Sequence, residues 1–151
     1  MKKITLLAFT LLFSISSFAS EIDISKQLIR ATPPHAKNSA AFFTMTNNAD
    51  KSINLIAVSS DIAEKVQIHT NINEDGMMKM RQVESIMIEA NSSTSLQPGG
   101  YHVMFLGLKN DLTEGQSVEL TLYFDNGEQM KVSTPVQKIT TNHKISDKKH
   151  H

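Results

Sequence analysis

Cysteine and tryptophan are both missing from the 151 residues, and glycine (6), proline (4) and tyrosine (2) are scarce. Without cysteine the chain builds no disulfide, no thiol–disulfide active site, no blue-copper centre with its thiolate ligand and no cysteine-linked lipid anchor. An excess of one charge is missing too. Lys and Arg number 15 and so do Asp and Glu, with no basic block, so neither nucleic acid nor an acidic membrane surface is an expected partner. No apolar run reaches the roughly 18 residues of a membrane span, and no stable membrane insertion is expected. Phosphate-loop, G-x-S-x-G and H-E-x-x-H motifs are absent, and no carboxylate pair stands out by spacing. These absences point away from an enzyme.

What is present begins with a leader. Lys2 and Lys3 form a positive start, Ile4 to Phe13 an apolar stretch, and Ser17-Phe18-Ala19 a small-x-small cleavage site. Residues 1–19 therefore read as a signal peptide, with the mature chain starting near Ser20 in the periplasm; the rival reading is an uncleaved N-terminal anchor. Its removal leaves two more acids than bases. Residues 20–137 have the length of one domain. Residues 138–151 (KITTNHKISDKKHH) lack apolar density and read as a flexible tail.

Short β-like runs separated by turns fill the domain. Ala40 to Thr46, Ile53 to Ser59, Val66 to Thr70, Met77 to Val83, Ser85 to Glu89, Tyr101 to Phe105, Val118 to Phe124 and Glu128 to Val132 are predicted strands. Asp75-Gly76 and Asn126-Gly127 are hairpin turns, the second being the strongest such signal. Ala31 to Pro34 favours an extended segment, and Asp61 to Lys65 a single helical turn behind a Ser60 or Asp61 cap. The pattern predicts an all-β single domain, an antiparallel β-sandwich or Greek-key barrel.

Within these strands, methionine and histidine sit where burial does not require them. If Tyr101, Val103 and Phe105 face the core, His102 and Met104 point away from it. His69 likewise opposes Val66 and Ile68, and Met78 and Met80 share a face. Thioether sulfur is a soft neutral ligand and imidazole a borderline one, so two of each suit Cu(I); zinc prefers thiolate, imidazole or carboxylate, and calcium or magnesium prefers oxygen. Thioethers also favour Cu(I) over Cu(II). Such a site holds copper without cycling it, and its position predicts a shallow ion within reach of a partner's ligands.

His69, Met80, His102 and Met104 stand in the spacing H-x10-M-x21-H-x-M. With 8 methionines and 6 histidines in the chain, a chance match to all four positions is expected less than about once in a thousand trials. The motif resembles that of the periplasmic copper-chaperone family PCu(A)C, as do "RATPP" (Arg30 to Pro34), "GMMKMRQVE" (Gly76 to Glu84) and "LQPGGYHVMFLGLK" (Leu96 to Lys109). The likeness covers roughly residues 27–137. Two departures concern packing or a turn: Leu28-Ile29 where the family often has a tryptophan, and Gln82-Val83 where Arg-Pro-Val is common. The resemblance implies a cupredoxin-like fold, one Cu(I) on His69, Met80, His102 and Met104, and delivery to the copper centres of a respiratory haem-copper oxidase, alongside Sco-type thiol proteins. It thus implies a role in cytochrome c oxidase assembly. A copper buffer or detoxification protein without an oxidase partner is the alternative.

The remaining methionines and histidines have plainer readings. Met77 and Met78 are expected to fill gaps, with Met78 as an alternative reserve ligand, and Met45, Met87 and Met130 belong to core or rim. Arg30 and His35 read as surface residues. His143, His150 and His151 are either a solvated end or an auxiliary Cu(II) site.

Overall fold

Asn126-Gly127 turns the chain as its sequence dictates: Gly127 takes a φ of 88° and the Phe124 N–H donates to the Glu128 carbonyl across the turn (3.0 Å). The computed structural model describes residues 19–140, in which such turns connect ten strands and no helix. They are β1 (Ile22–Arg30), β2 (Asn38–Asn47), β3 (Ile53–Ser59), β4 (Ala63–Glu74), β5 (Met77–Gln82), β6 (Ile86–Ile88), β7 (Ser92–Ser95), β8 (His102–Leu108), β9 (Ser117–Phe124) and β10 (Gln129–Gln137). The predicted all-β sandwich is the fold found.

One layer runs β5-β4-β8-β2-β1, with β7 also on β2, and the other runs β10-β9-β3-β6. A parallel pairing of β1 with β10, Ile29 opposite Val136, stitches the layers together. The other pairings are antiparallel. Period-two alternation sends Ala41, Phe43 and Met45 of β2, Val103 and Phe105 of β8, Ile68 of β4, and Val118, Leu120, Leu122 and Phe124 of β9 into the shared core, where all are buried. Burying the side chains larger than alanine, at about 1.5–3 kcal/mol each, is the main force holding the two layers face to face.

One local expectation needs correction, and two strands were not predicted. The helical turn at Asp61 to Lys65 is not formed: β4 begins at buried Ala63, which pairs with Leu108, while the Lys109 N–H donates to the Ile62 carbonyl (3.0 Å). Cross-strand bonding satisfies the backbone there, and the cap signal loses to it. β1 was hidden because a register shift between Ser25 and Leu28, with Lys26 at φ 54°, breaks its alternation. β7 was hidden because Ser92–Ser95 is short and wholly polar; its Ser95 and Ser93 hydroxyls bond Thr44 and Thr46 of β2 (2.9 and 2.8 Å). Residues 1–18 of the expected signal peptide (1–19) and the tail histidines His143, His150 and His151 lie outside the described residues.

Candidate metal centre

The outer face of the first layer, turned away from the core, gathers all four residues of the spaced motif onto three adjacent strands. His102 and Met104 come from β8, His69 from β4 and Met80 from β5. Register brings them together: His69 is directly opposite His102, Met104 is opposite Gln67, and Met80 is opposite Asn71. The β4–β5 hairpin is closed by Asp75-Gly76, both at positive φ (53° and 79°), with the Gly76 N–H donating to Asn73 Oδ1 (3.0 Å). That tight turn places Met80 one strand from His69.

The ring nitrogens are oriented for a cation. His102 Nδ1 lies 3.0 Å from the Gly100 carbonyl, which can only accept, so Nδ1 carries the proton and Nε2 presents a lone pair. That lone pair faces Met80 Sδ at 3.2 Å. Nitrogen and sulfur bound at about 2.0 and 2.3 Å to one tetrahedral ion stand about 3.5 Å apart, so the pair is close to ligating geometry. His69 mirrors this arrangement. Its Nε2 lies 2.9 Å from Gln67 Oε1, an acceptor, which leaves Nδ1 as the lone-pair nitrogen. That Nδ1 is buried and has no hydrogen-bond partner, the one such side-chain atom among the described residues. A buried, unpartnered lone pair is costly and demands an explanation; a metal ion is one. Burial, and then the nearby charge of a protonated His102, hold the His69 imidazole below its ordinary range, so its neutral ligating form persists into mild acid.

The two imidazole rings are 5.8 Å apart, and Phe42 of β2 packs 6.4 Å from His102 with the Arg30 guanidinium 5.8 Å above its own ring. Met80, His102 and Met104 line one open cleft of about 330 Å³ together with Arg30, Phe42 and Asn71. Among the described residues no group of three or more His, Asp or Glu side chains converges anywhere. The donor groups at this site are therefore imidazole and thioether, a set that suits a soft ion.

The model of a family described as "LpqE-like: Putative lipoprotein LpqE-like" matches residues 22–136. The chain belongs to the LpqE-like family. It is 34% identical over 111 residues to "Uncharacterized protein RP573" of Rickettsia prowazekii (strain Madrid E), covering 73% of this chain but only 61% of that protein. The chain thus spans less than two thirds of that relative's length. It is 31% identical over 123 residues to "Putative lipoprotein Lxx21020" of Leifsonia xyli subsp. xyli (strain CTCB07), covering 81% and 73%. Among solved structures it superposes on the copper-bound PCuAC domain from PmoF2 with a TM-score of 0.68 at 23% identity, covering 81% of this chain and 97% of that one. Apo-DR1885 from Deinococcus radiodurans gives 0.63 at 30% identity, covering 92% and 95%. The Cu(I) form of DR1885 gives 0.62 at 33% identity, covering 74% and 75%. The fold is that of the PCuAC domains, the cupredoxin-like sandwich expected from the motif.

In this LpqE-like domain the expected faces hold except that of Tyr101, and not every expected exposure does. Val103 and Phe105 are in the core, whereas Tyr101 precedes β8 and is exposed. His102 lies on the outer face yet is only 6% exposed, because Phe42, His69 and Met80 close over it. The site is therefore half-sunk, and its open side is Met80, which is 49% exposed. Met78 and Met77 fill no gap, since both are exposed, and Met87 is exposed as well; Met45 is core and Met130 packs against it. Sequence reasoning also missed the residues that orient the imidazoles. Gln67 stands two positions before His69 on β4, the spacing that puts a neighbour on the same strand face, and that was the available signal; Gly100 precedes β8 and acts through its backbone carbonyl, for which the sequence carries none. Arg30, read as a surface residue, is part of the cleft.

Proposed function

We propose that this chain is an exported copper chaperone that holds one Cu(I) between His69, Met80, His102 and Met104 and hands it on by ligand exchange. The observation that carries this reading is the His102 Nε2 lone pair facing Met80 Sδ at 3.2 Å, beside the unpartnered Nδ1 of His69. The Cu(I) form of the Deinococcus radiodurans protein, 33% identical to this chain, supports the choice of metal. Half-exposed Met80 supports transfer, because an incoming ligand reaches a peripheral thioether before a buried imidazole. The copper is cargo rather than a resident cofactor, so an open path to it is required.

The finer parts of the reading rest on the resemblance and on the leader. They are cleavage after Ala19, residence of the 20–137 domain in the periplasm, and delivery to a haem-copper oxidase alongside Sco-type thiol proteins. The family description, a lipoprotein, fits export. Anaerobic Cu(I) titration against a competing chelator tests the metal site: one tightly held equivalent is expected, reduced in His102→Ala. Oxidase activity in a deletion strain tests delivery, because a copper buffer without a docking partner leaves that activity unchanged when copper is ample.

A further inference from the structure

Among the described residues the β5 strand is the outer edge of its layer, pairs only with β4, and exposes all six of its residues, three of them methionines. Exposed thioethers in such density are not explained by packing. Alternation sorts them. Met78 lies opposite Asn73 and Met80 opposite Asn71, on the face that carries His69, His102 and Met104. Met77, Lys79 and Arg81 lie on the reverse face with Glu74, whose carboxylate binds Lys79 Nζ (2.8 Å) and Arg81 Nη2 (3.0 Å). Both cations of the strand are therefore tied to the reverse side. Beside Met78 and Met80 the outer side presents the neutral amides of Asn71, Asn73 and Gln82, so β5 carries no cation of its own on this side; Arg30, which lines the same cleft, stacks over Phe42 of β2. Exposure also falls in order along this face, from Met78 at 63% to Met80 at 49% to His102 at 6%.

We propose that Met78 is a gateway ligand for Cu(I), binding the ion transiently with Met80 as it moves between an external ligand and the His69–His102 pair. This rests on the Cu(I) reading above. Same-face neighbours on a strand are about 6.5–7 Å apart at Cα, and methionine's three rotatable bonds let two such sulfurs converge on one ion. In loading, a Cu–S bond to Met78 forms as one bond to the external ligand breaks; the Met78 bond is then exchanged for an imidazole nitrogen. Copper stays Cu(I) throughout, and a thioether gains or loses no proton, so the exchange needs neither a redox partner nor a base. Release is the same path reversed.

Met77, equally exposed at 65% but on the reverse face, is the internal control. The experiment is anaerobic stopped-flow loading and removal of Cu(I), with a chromophoric Cu(I) chelator, on the wild type, Met78→Leu, Met77→Leu and Met80→Leu. Met78→Leu is expected to slow loading and removal by the same several-fold factor, leaving equilibrium affinity unchanged, with Met77→Leu matching the wild type. Wild-type rates in Met78→Leu overturn the proposal, and so does equal slowing in Met77→Leu. A loss of equilibrium affinity in Met78→Leu as large as in Met80→Leu also overturns it, because Met78 is then a resident ligand. A wild type that takes up no Cu(I) is a different failure: it removes the Cu(I) reading itself, and the gateway with it.

Discussion

His102 Nε2 stands 3.2 Å from Met80 Sδ with no proton between them, because the ring's proton is held at Nδ1 by the Gly100 carbonyl. Two lone pairs so placed repel weakly unless a cation comes between them. The frame that holds them there is extensive, since β8 pairs with both β4 and β2, and β5 is pinned to β4 by a two-residue turn. The close approach of the two donor atoms is therefore a property of the fold.

Exchange of Met80 or Met104 for leucine removes sulfur while keeping apolar bulk. Such swaps cost less than about 1.5 kcal/mol of stability, and less still at a half-exposed side chain. Cu(I) affinity is expected to fall by at least about tenfold in each single variant, the scale on which even outer-sphere partners act. Chelator competition reads the affinity and thermal unfolding the stability. A double leucine variant with undiminished Cu(I) binding would remove both residues from the ligand set.

Gln67→Ala deletes the acceptor that keeps the His69 proton on Nε2. Both tautomers then compete, and Cu(I) affinity should drop about 10–100-fold with the fold intact. Nitrogen-15 chemical shifts of the His69 ring report the tautomer directly. A ring that keeps a single Nε2–H form in Gln67→Ala contradicts the assignment.

Gly107 lies in β8 at φ +70°, and a Cβ there would sit 2.8 Å from Glu64 Oε2. Glu64 is exposed and can swing aside, so the lasting cost of Gly107→Ala is backbone strain. Left-handed backbone costs about 1–2 kcal/mol, partly offset by the lower entropy of the unfolded alanine chain, so a net loss of about 1 kcal/mol is expected. Urea unfolding measures it. Adding Glu64→Ala should leave the loss in place; full recovery would mean that the clash, not φ, set the cost.

Asp125 ties the β9–β10 turn to β3: its carboxylate accepts from the Asn54 side-chain amide (2.7 Å) and from the Asn54 backbone N–H (2.9 Å). The side-chain bond first, and then the backbone bond, hold this carboxyl below its ordinary range. With the folded value depressed, the stabilisation is fully present above the unfolded value of about 3.9 and is lost as pH falls through the folded one. The stability gap between wild type and Asp125→Asn should thus be small at neutral pH, as suits an exposed contact, and should close in acid. Urea midpoints on either side of pH 4 test this, and a gap that widens in acid contradicts it.

The residues alone determined the β character, the hairpin turns and the four spaced candidate ligands, because period-two alternation, Asn-Gly and Asp-Gly turn chemistry and donor softness are local properties. Val103, Phe105 and the β9 face could be assigned to the core from alternation alone. Burial on the outer face could not. His102 is sunk there because Phe42 of β2 and Met80 of β5 close over it, and those neighbours are set by strand order, which no local pattern encodes. β1 escaped detection because its bulge breaks the period, and β7 because serines carry no apolar signal. The tautomers, too, belong to the tertiary structure. Gln67 and Gly100 are ordinary residues in sequence, and only the pairing of β4 with β8 sets the two imidazoles that they orient opposite each other, ring centres 5.8 Å apart.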